Sequence, residues 1–238
     1  MAVKLRLILK EGHWSLATKS LVLALFWFWL PFWIFAFFSF LLFFWNYFEL
    51  ASFYWRSFFA LLIVSGMALY FPDYRILFLA LVFSLFFVLL GLESFLFVNK
   101  KEIYRIFNFL LISASLLFFF WAEFFASTGV YLFIILALVN YWLFRDLFFL
   151  YEGEKNNKEG RVYAISLTLI MLESIWAIKF LPIGFINQSA ISILILIGIQ
   201  ELVLSLEKKR EINFFLLLLT VFSAVFLFVL FFSGWSVN

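Results

Sequence analysis

Runs of about twenty apolar residues, joined by short polar connections, occupy almost the whole of this chain. A run of that length matches an α-helix that crosses about 30 Å of hydrocarbon at about 1.5 Å per residue. The strands of a membrane β-barrel would instead alternate apolar and polar residues over about ten positions. The pattern therefore predicts an all-α, polytopic transmembrane helical bundle with the lipid bilayer as its main surroundings.

The composition excludes a water-soluble fold. The chain has 238 residues, of which 67% are hydrophobic and 13% charged, whereas a soluble domain is about 45–50% apolar and about 25% charged. The net charge of +3 comes from basic residues in the short connections between apolar runs. Such residues set the orientation of membrane helices, so the charge does not indicate a nucleic-acid partner.

Eight spans are predicted, at residues 21–45, 53–71, 76–98, 106–126, 130–151, 162–180, 189–206 and 213–232. Residues 1–20 mix cations with apolar side chains, which predicts an arm in the headgroup layer. Residues 21–232 form the predicted bundle, and residues 233–238 a short C-terminal tail. No polar connection is long enough for a domain outside the membrane.

Three acidic residues recur six positions before a basic, polar connection. Glu93, Asp146 and Glu201 lie at intervals of 53 and 55 residues. This spacing is typical of a two-helix hairpin used three times. Chance similarity among runs of Phe and Leu explains it equally well, so both interpretations stay open.

Lysine and arginine are unevenly divided between the two ends of the predicted spans. Eleven lie at one end and six at the other, and the basic connections are predicted to be cytoplasmic in the cell membrane. Eight spans would then put both termini outside, together with four cations that precede the first span. The alternative is a re-entrant hairpin over residues 21–48, broken at Pro31, which leaves seven full spans and a cytoplasmic N-terminus.

Glu173 is the deepest ionisable residue. It lies about twelve residues beyond Arg161, hence near mid-bilayer, where a charge costs roughly 2.5–3.5 kcal/mol. We expect it to face the bundle interior, either as a proton carrier or cation ligand or as the donor of one interhelical hydrogen bond. Lys179 follows on a different helix face and is expected to reach the interface.

The other candidate site residues lie nearer the basic end of the bundle. Glu93, Asp146 and Glu201 could form an acidic ring at a cytoplasmic mouth, or each could pair with a cation of its own connection, as Arg145 beside Asp146 suggests. Gln200 and Asn140 add polar atoms at a similar depth.

The chain has no cysteine and one histidine, His13, which lies outside every predicted span. These absences leave no thiol or imidazole for catalysis or metal binding within the spans. No catalytic residue, metal or other cofactor is predicted, and the chain is more typical of a non-enzyme.

The stretch from Glu173 to Phe185, which reads ESIWAIKFLPIGF, resembles a pattern in uncharacterised multi-pass membrane proteins of small-genome bacteria. The resemblance carries no activity. It implies that Glu173, Trp176 and Pro182 belong to one site or to one packing element.

Three classes of function fit these observations. The first is transport or conduction of a small solute or ion, with Glu173 central and the three acids at the cytoplasmic mouth. The second is a non-catalytic membrane subunit or scaffold that packs against other membrane subunits or against itself. The third is a lipid-modifying enzyme that works without metal or histidine.

Overall fold

The computed structural model describes the backbone of residues 2–45, 48–70, 74–93, 99–126, 130–152 and 157–208. It describes the side chains of residues 14–44, 54–70, 74–92, 99–124, 130–150 and 160–201. The last predicted span, 213–232, and the predicted tail, 233–238, lie outside these residues.

The described residues form eight α-helices and no strand, which confirms the all-helical prediction for this part of the chain. The helices are α1 (Ala2–Trp29), α2 (Phe32–Trp45), α3 (Phe48–Ala68), α4 (Arg75–Glu93), α5 (Lys100–Ala126), α6 (Val130–Glu152), α7 (Asn157–Lys179) and α8 (Phe185–Lys208).

Among the residues that the structure describes, four helices are long and apolar enough to cross a membrane, judged by length and composition. Their apolar segments are Arg75–Leu92, Lys100–Phe124, Val130–Leu150 and Gly160–Lys179. In α1, α2, α3 and α8 the apolar segments that lie within the described residues are shorter, over Trp14–Trp29, Phe32–Phe44, Tyr54–Ala68 and Phe185–Glu201. Helices that could cross a membrane are therefore present, as predicted.

The first predicted span is two helices, not one. Proline has no N–H and its ring clashes with the preceding turn, so α1 ends before Pro31 and α2 begins at Phe32. The ring centroids of Phe26 and Phe38 are 5.2 Å apart, whereas twelve residues of continuous helix would separate them by about 18 Å. The chain folds back at Pro31, and the expectation of one crossing helix over residues 21–45 is wrong.

Two compact units divide the chain, Met1–Leu111 and Ile112–Asn238. The division falls within α5 and matches no predicted boundary. No helix break occurs at residue 20 either, since α1 continues from Ala2 to Trp29.

Two contacts in the first unit show the relative direction of α2 and α3. Phe43, near the end of α2, stacks on Phe58 of α3 with centroids 4.4 Å apart. At the other end of this pair of helices, Phe32 fills the space beside Gly66, where a Cβ would lie 3.0 Å from Phe32 Cζ. The two helices are therefore antiparallel, and glycine at position 66 makes room for the ring.

The turn at Pro31 lies at the same end of the first unit as the end of α3 and the start of α4. Trp27 Nε1 donates to the Ser65 carbonyl oxygen at 2.8 Å, and the Arg75 guanidinium lies 5.0 Å from the centroid of the Phe28 ring. The first half of α3 instead meets the start of α5, where the Tyr54 and Tyr104 ring centroids are 5.7 Å apart and the Ser57 and Tyr104 hydroxyls are 2.7 Å apart. The N-terminal part of α1 therefore extends toward the end of the unit where α3 and α5 begin.

In the second unit, α7 packs against both α6 and α8. Phe148 of α6 stacks on Tyr163 of α7 with centroids 5.6 Å apart. Phe124 of α5 meets Phe185, the first residue of α8, at 5.7 Å. The end of α5 and the start of α8 therefore lie together.

Candidate functional site

Glu173 lies on the exposed face of α7, and the expectation that it faces the interior is wrong. Its side chain is exposed, as are those of Leu169 and Trp176, at 53% and 60%. The apolar part of α7 is Gly160–Lys179, so Glu173 lies about 5 Å along the helix axis from its middle. Among the described residues, no donor pairs with its carboxylate.

The exposed face of α7 follows a heptad pattern. Alternating steps of four and three residues connect six exposed positions, Val162, Ser166, Leu169, Glu173, Trp176 and Phe180. At about 100° per residue they lie within a sector of about 80°, with Glu173 near its centre. We call this surface the α7 seam. The opposite face of α7, which includes Ala164, Met171 and Ile175, is fully buried.

Lys179 forms a salt bridge that the sequence reasoning missed. Its Nζ lies 2.5 Å from Oε2 of Glu123, and the two side chains are 38% and 8% exposed. The other carboxylate oxygen of Glu123, Oε1, is buried without a hydrogen-bond partner among the described residues. Lys179 therefore does not simply extend to the interface; it neutralises a buried acid on α5.

Gln188 closes the turn beside this pair. Its Nε2 donates to the carbonyl oxygens of Ile178, Lys179 and Leu181 at 3.4, 3.4 and 3.2 Å. The last carbonyls of a helix have no partner within the helix, so this side chain of α8 satisfies the end of α7. One of these carbonyls belongs to Lys179, so the contact fixes the backbone of the residue that pairs with Glu123.

A signal for the Glu123–Lys179 pair was present in the sequence. Both residues lie close to the C-terminal ends of their helices, and α5 and α7 are alternate helices in the chain. Alternate membrane helices run in the same direction, so their C-terminal ends lie at the same membrane surface. Opposite charges at matching ends of such helices are therefore natural partners.

Asn140 is fully buried, at 0% exposed. Neither its Nδ2 nor its Oδ1 has a hydrogen-bond partner among the described residues. It lies midway along Val130–Leu150, the apolar part of α6. A buried amide without partners is costly, at about 1–3 kcal/mol for each unsatisfied group, so Asn140 is the strongest interior polar candidate.

The predicted acidic ring is not brought together by anything that the structure describes. Asp146 is buried at 2% exposed, Gln200 is buried at 6%, and Glu201 is partly exposed. Glu93 ends α4, and its side chain lies outside the described residues. The ring therefore stays a prediction.

Arg145 makes a contact within its own helix. Its Nη1 donates to the Tyr141 hydroxyl, one turn earlier on α6, at 3.0 Å. The guanidinium is thereby directed along α6 toward the preceding turn, and this contact was not among those that the sequence suggested.

The stretch that carries the family resemblance includes two neighbouring surfaces. Glu173 and Trp176 share the α7 seam, and Pro182 lies exposed in the turn that Gln188 closes. Among the described residues, no three His, Cys, Asp or Glu side chains come together in a way that could hold a metal ion.

In the comparisons with known proteins, no family model, no curated protein and no solved structure matches the chain.

Proposed function

We propose that this chain is a non-catalytic, multi-pass subunit of the cell membrane that assembles with other membrane-embedded helices through the α7 seam. The exposed position of Glu173 carries the proposal. It favours a subunit over a transporter with Glu173 at its centre, because that transporter needs the carboxyl group inside the bundle.

The physical argument is the cost of a carboxyl group in hydrocarbon. Insertion scales place an acidic residue at mid-helix at roughly 2.5–3.5 kcal/mol, and ionisable residues in spans almost always face protein or water. Val162, Leu169 and Phe180 of the seam offer no hydrogen bond. The Trp176 indole N–H and the Ser166 hydroxyl are donors, but among the described residues neither is bonded to the Glu173 carboxylate. A partner helix with a polar group at the same depth would satisfy the carboxyl.

The fold-back at Pro31 supports a topology with seven full spans and one re-entrant hairpin. The last charged residue of α1 is Lys19, so the uncharged part of this helix is residues 20–29, about 15 Å long, and the whole of α2 has 14 residues, or about 21 Å. Both lengths are short of about 30 Å of hydrocarbon. The N-terminus then shares the cytoplasmic side with the basic connections. Every Lys and Arg except Arg75 and Lys179 lies toward that side, as the positive-inside rule requires.

The assembly proposal predicts a specific effect of Glu173→Leu. We expect the variant to lose about 1–2 kcal/mol of association free energy, the range for one interhelical hydrogen bond in model membrane peptides, or about 5–30-fold in the association constant. The monomer should melt as the unmodified chain does, because the seam lies opposite the packed face. Light scattering in mild detergent would measure the mass of the assembly.

Ser84→Leu is the matched control. Ser84 is also a polar side chain exposed on an apolar helix, α4, but its hydroxyl already donates to the Ala80 carbonyl at 2.8 Å. The control should leave the assembly unchanged. An assembly that survives Glu173→Leu, or a chain that is monomeric from the start, would contradict the proposal.

A second candidate function, conduction of a small polar solute or ion, is favoured by Asn140. A hydrated path past this residue would satisfy its buried amide, and transport sites lie near the bilayer midplane. The chain has no cysteine, so Asn140→Cys introduces a single thiol. If the path exists, a water-soluble methanethiosulfonate should modify this thiol in intact membranes at least tenfold faster than the thiol of Ala164→Cys, which is buried on α7. Equal, slow rates would exclude conduction past Asn140.

A further inference from the structure

We infer that the partner of the α7 seam is a second copy of this chain, packed helix to helix around Glu173. The inference rests on the proposed function and names its partner. Three features of the seam carry it: its heptad spacing, the depth of its polar groups, and the chemistry of the carboxyl group.

The heptad spacing fits a helix of the same kind. Residues that recur every 3.5 positions remain in register along two helices that cross at a small angle, which is the common packing of membrane bundles. The seam keeps this spacing from Val162 to Phe180 without interruption. All six positions are exposed, so α7 presents a complete contact surface to a neighbour.

The polar groups match those of a second copy by depth. Two copies inserted in the same orientation, related by a two-fold axis along the membrane normal, place equal residues at equal depths and form an interface of one patch with itself. Glu173 then meets Glu173. Ser166, seven residues earlier on the same seam, meets Ser166 one heptad away.

The carboxyl group is complementary to itself when it carries its proton. A protonated carboxyl has one O–H donor and a carbonyl acceptor, so two of them satisfy each other in a reciprocal pair without a third group. Within the second unit, Lys179 is already paired with Glu123. A single polar residue at a seam position also specifies register.

Aromatic contacts extend the same surface. Trp176 and Phe180 pack edge to face with centroids 4.9 Å apart, although they are 60% and 66% exposed. The edge-to-face contact places the two rings side by side on the seam, where they can pack on the same pair of a second copy.

Single-cysteine cross-linking in native membranes tests the inference, because the chain contains no other thiol. In the full chain, Leu169→Cys places a thiol on the seam one turn from Glu173. Mild oxidation should yield a disulfide-linked pair of identical chains. Ile134→Cys on α6, which is 59% exposed, is the matched control and should cross-link at least tenfold more slowly.

Two further substitutions on the Leu169→Cys background test the role of the carboxyl. Glu173→Gln should retain more than half of the cross-linking, since an amide also carries both a donor and an acceptor. Glu173→Leu should lower the yield at least threefold. Equal yields for the two substitutions would overturn the carboxyl pairing on which the inference depends.

The outcomes separate this inference from the proposed function. Absence of the identical-chain adduct, or equal rates at Leu169→Cys and Ile134→Cys, overturns the inference that the partner is a second copy. If the detergent assembly then still depends on Glu173 and contains a different membrane protein, the subunit proposal stands. If the assembly is independent of Glu173, both proposals fail.

Discussion

Lys179→Leu is expected to destabilise the second unit by about 3 kcal/mol. The substitution leaves Glu123 buried, at 8% exposed, without the cation that lies 2.5 Å from its Oε2. Removing one partner of a buried ion pair typically costs about 3–5 kcal/mol. We expect the low end of that range because the Lys179 side chain is itself 38% exposed. Thermal or denaturant unfolding in detergent would measure the change in the free energy of unfolding.

The double variant Glu123→Leu/Lys179→Leu distinguishes a broken ion pair from lost packing. Replacing both members of a buried pair by apolar residues is often neutral or stabilising, so the double variant should be within about 1 kcal/mol of the unmodified chain. Lys179→Arg, which keeps the charge, should also retain most of the stability. If the double variant loses as much stability as the two single variants together, the pair is not what holds α5 to α7.

A cysteine placed before Met1 is expected to be labelled from the same side of the membrane as Asn99→Cys. The fold-back at Pro31 requires this result, because it brings the chain back to the surface from which α1 enters. A membrane-impermeant maleimide applied to sealed right-side-out and inverted vesicles should label both thiols in the same preparation, with at least a tenfold preference.

Tyr74→Cys is the control for the opposite surface. Tyr74 is 61% exposed and lies directly before α4, at the end of the first unit that contains the Pro31 turn. Its thiol should be labelled in the other vesicle preparation. A single crossing over residues 21–45 would instead place the N-terminal cysteine with Tyr74→Cys and away from Asn99→Cys.

The sequence indicated part of the structure around Pro31 but not all of it. The break at Pro31 was visible, because proline cannot continue the hydrogen-bond ladder of a helix. Its consequence was not, since a proline can kink a crossing helix or end it. The structure shows a turn, because Phe26 contacts Phe38 and Trp27 donates a hydrogen bond to Ser65.

In the candidate site, too, the sequence predicted one property of each residue and not another. The depth of Glu173 and of Asn140 along their helices followed from counting residues, because the rise of an α-helix is constant. The direction in which each points did not follow. Asn140 is buried and Glu173 is exposed. The sequence-based prediction instead places Glu173 at the centre of the bundle and gives Asn140 a supporting place.

The sequence by itself determined that lipid surrounds the chain and that its secondary structure is helical. Long apolar runs cannot be hidden in water, and in lipid each backbone polar group must be satisfied within a helix or a closed barrel. The helices of the described residues and the four apolar helices of sufficient length follow from that requirement.

Only the tertiary structure decided how each helix is rotated and which distant residues meet. Both faces of α7 are largely apolar, with Leu169 and Trp176 on one and Met171 and Ile175 on the other, so hydropathy does not distinguish lipid from protein as a neighbour. The rotation depends on how side chains pack against α6 and α8. That packing exposes Glu173 and lets Lys179 meet Glu123, because van der Waals fit and hydrogen bonding, rather than escape from water, drive helix association in lipid.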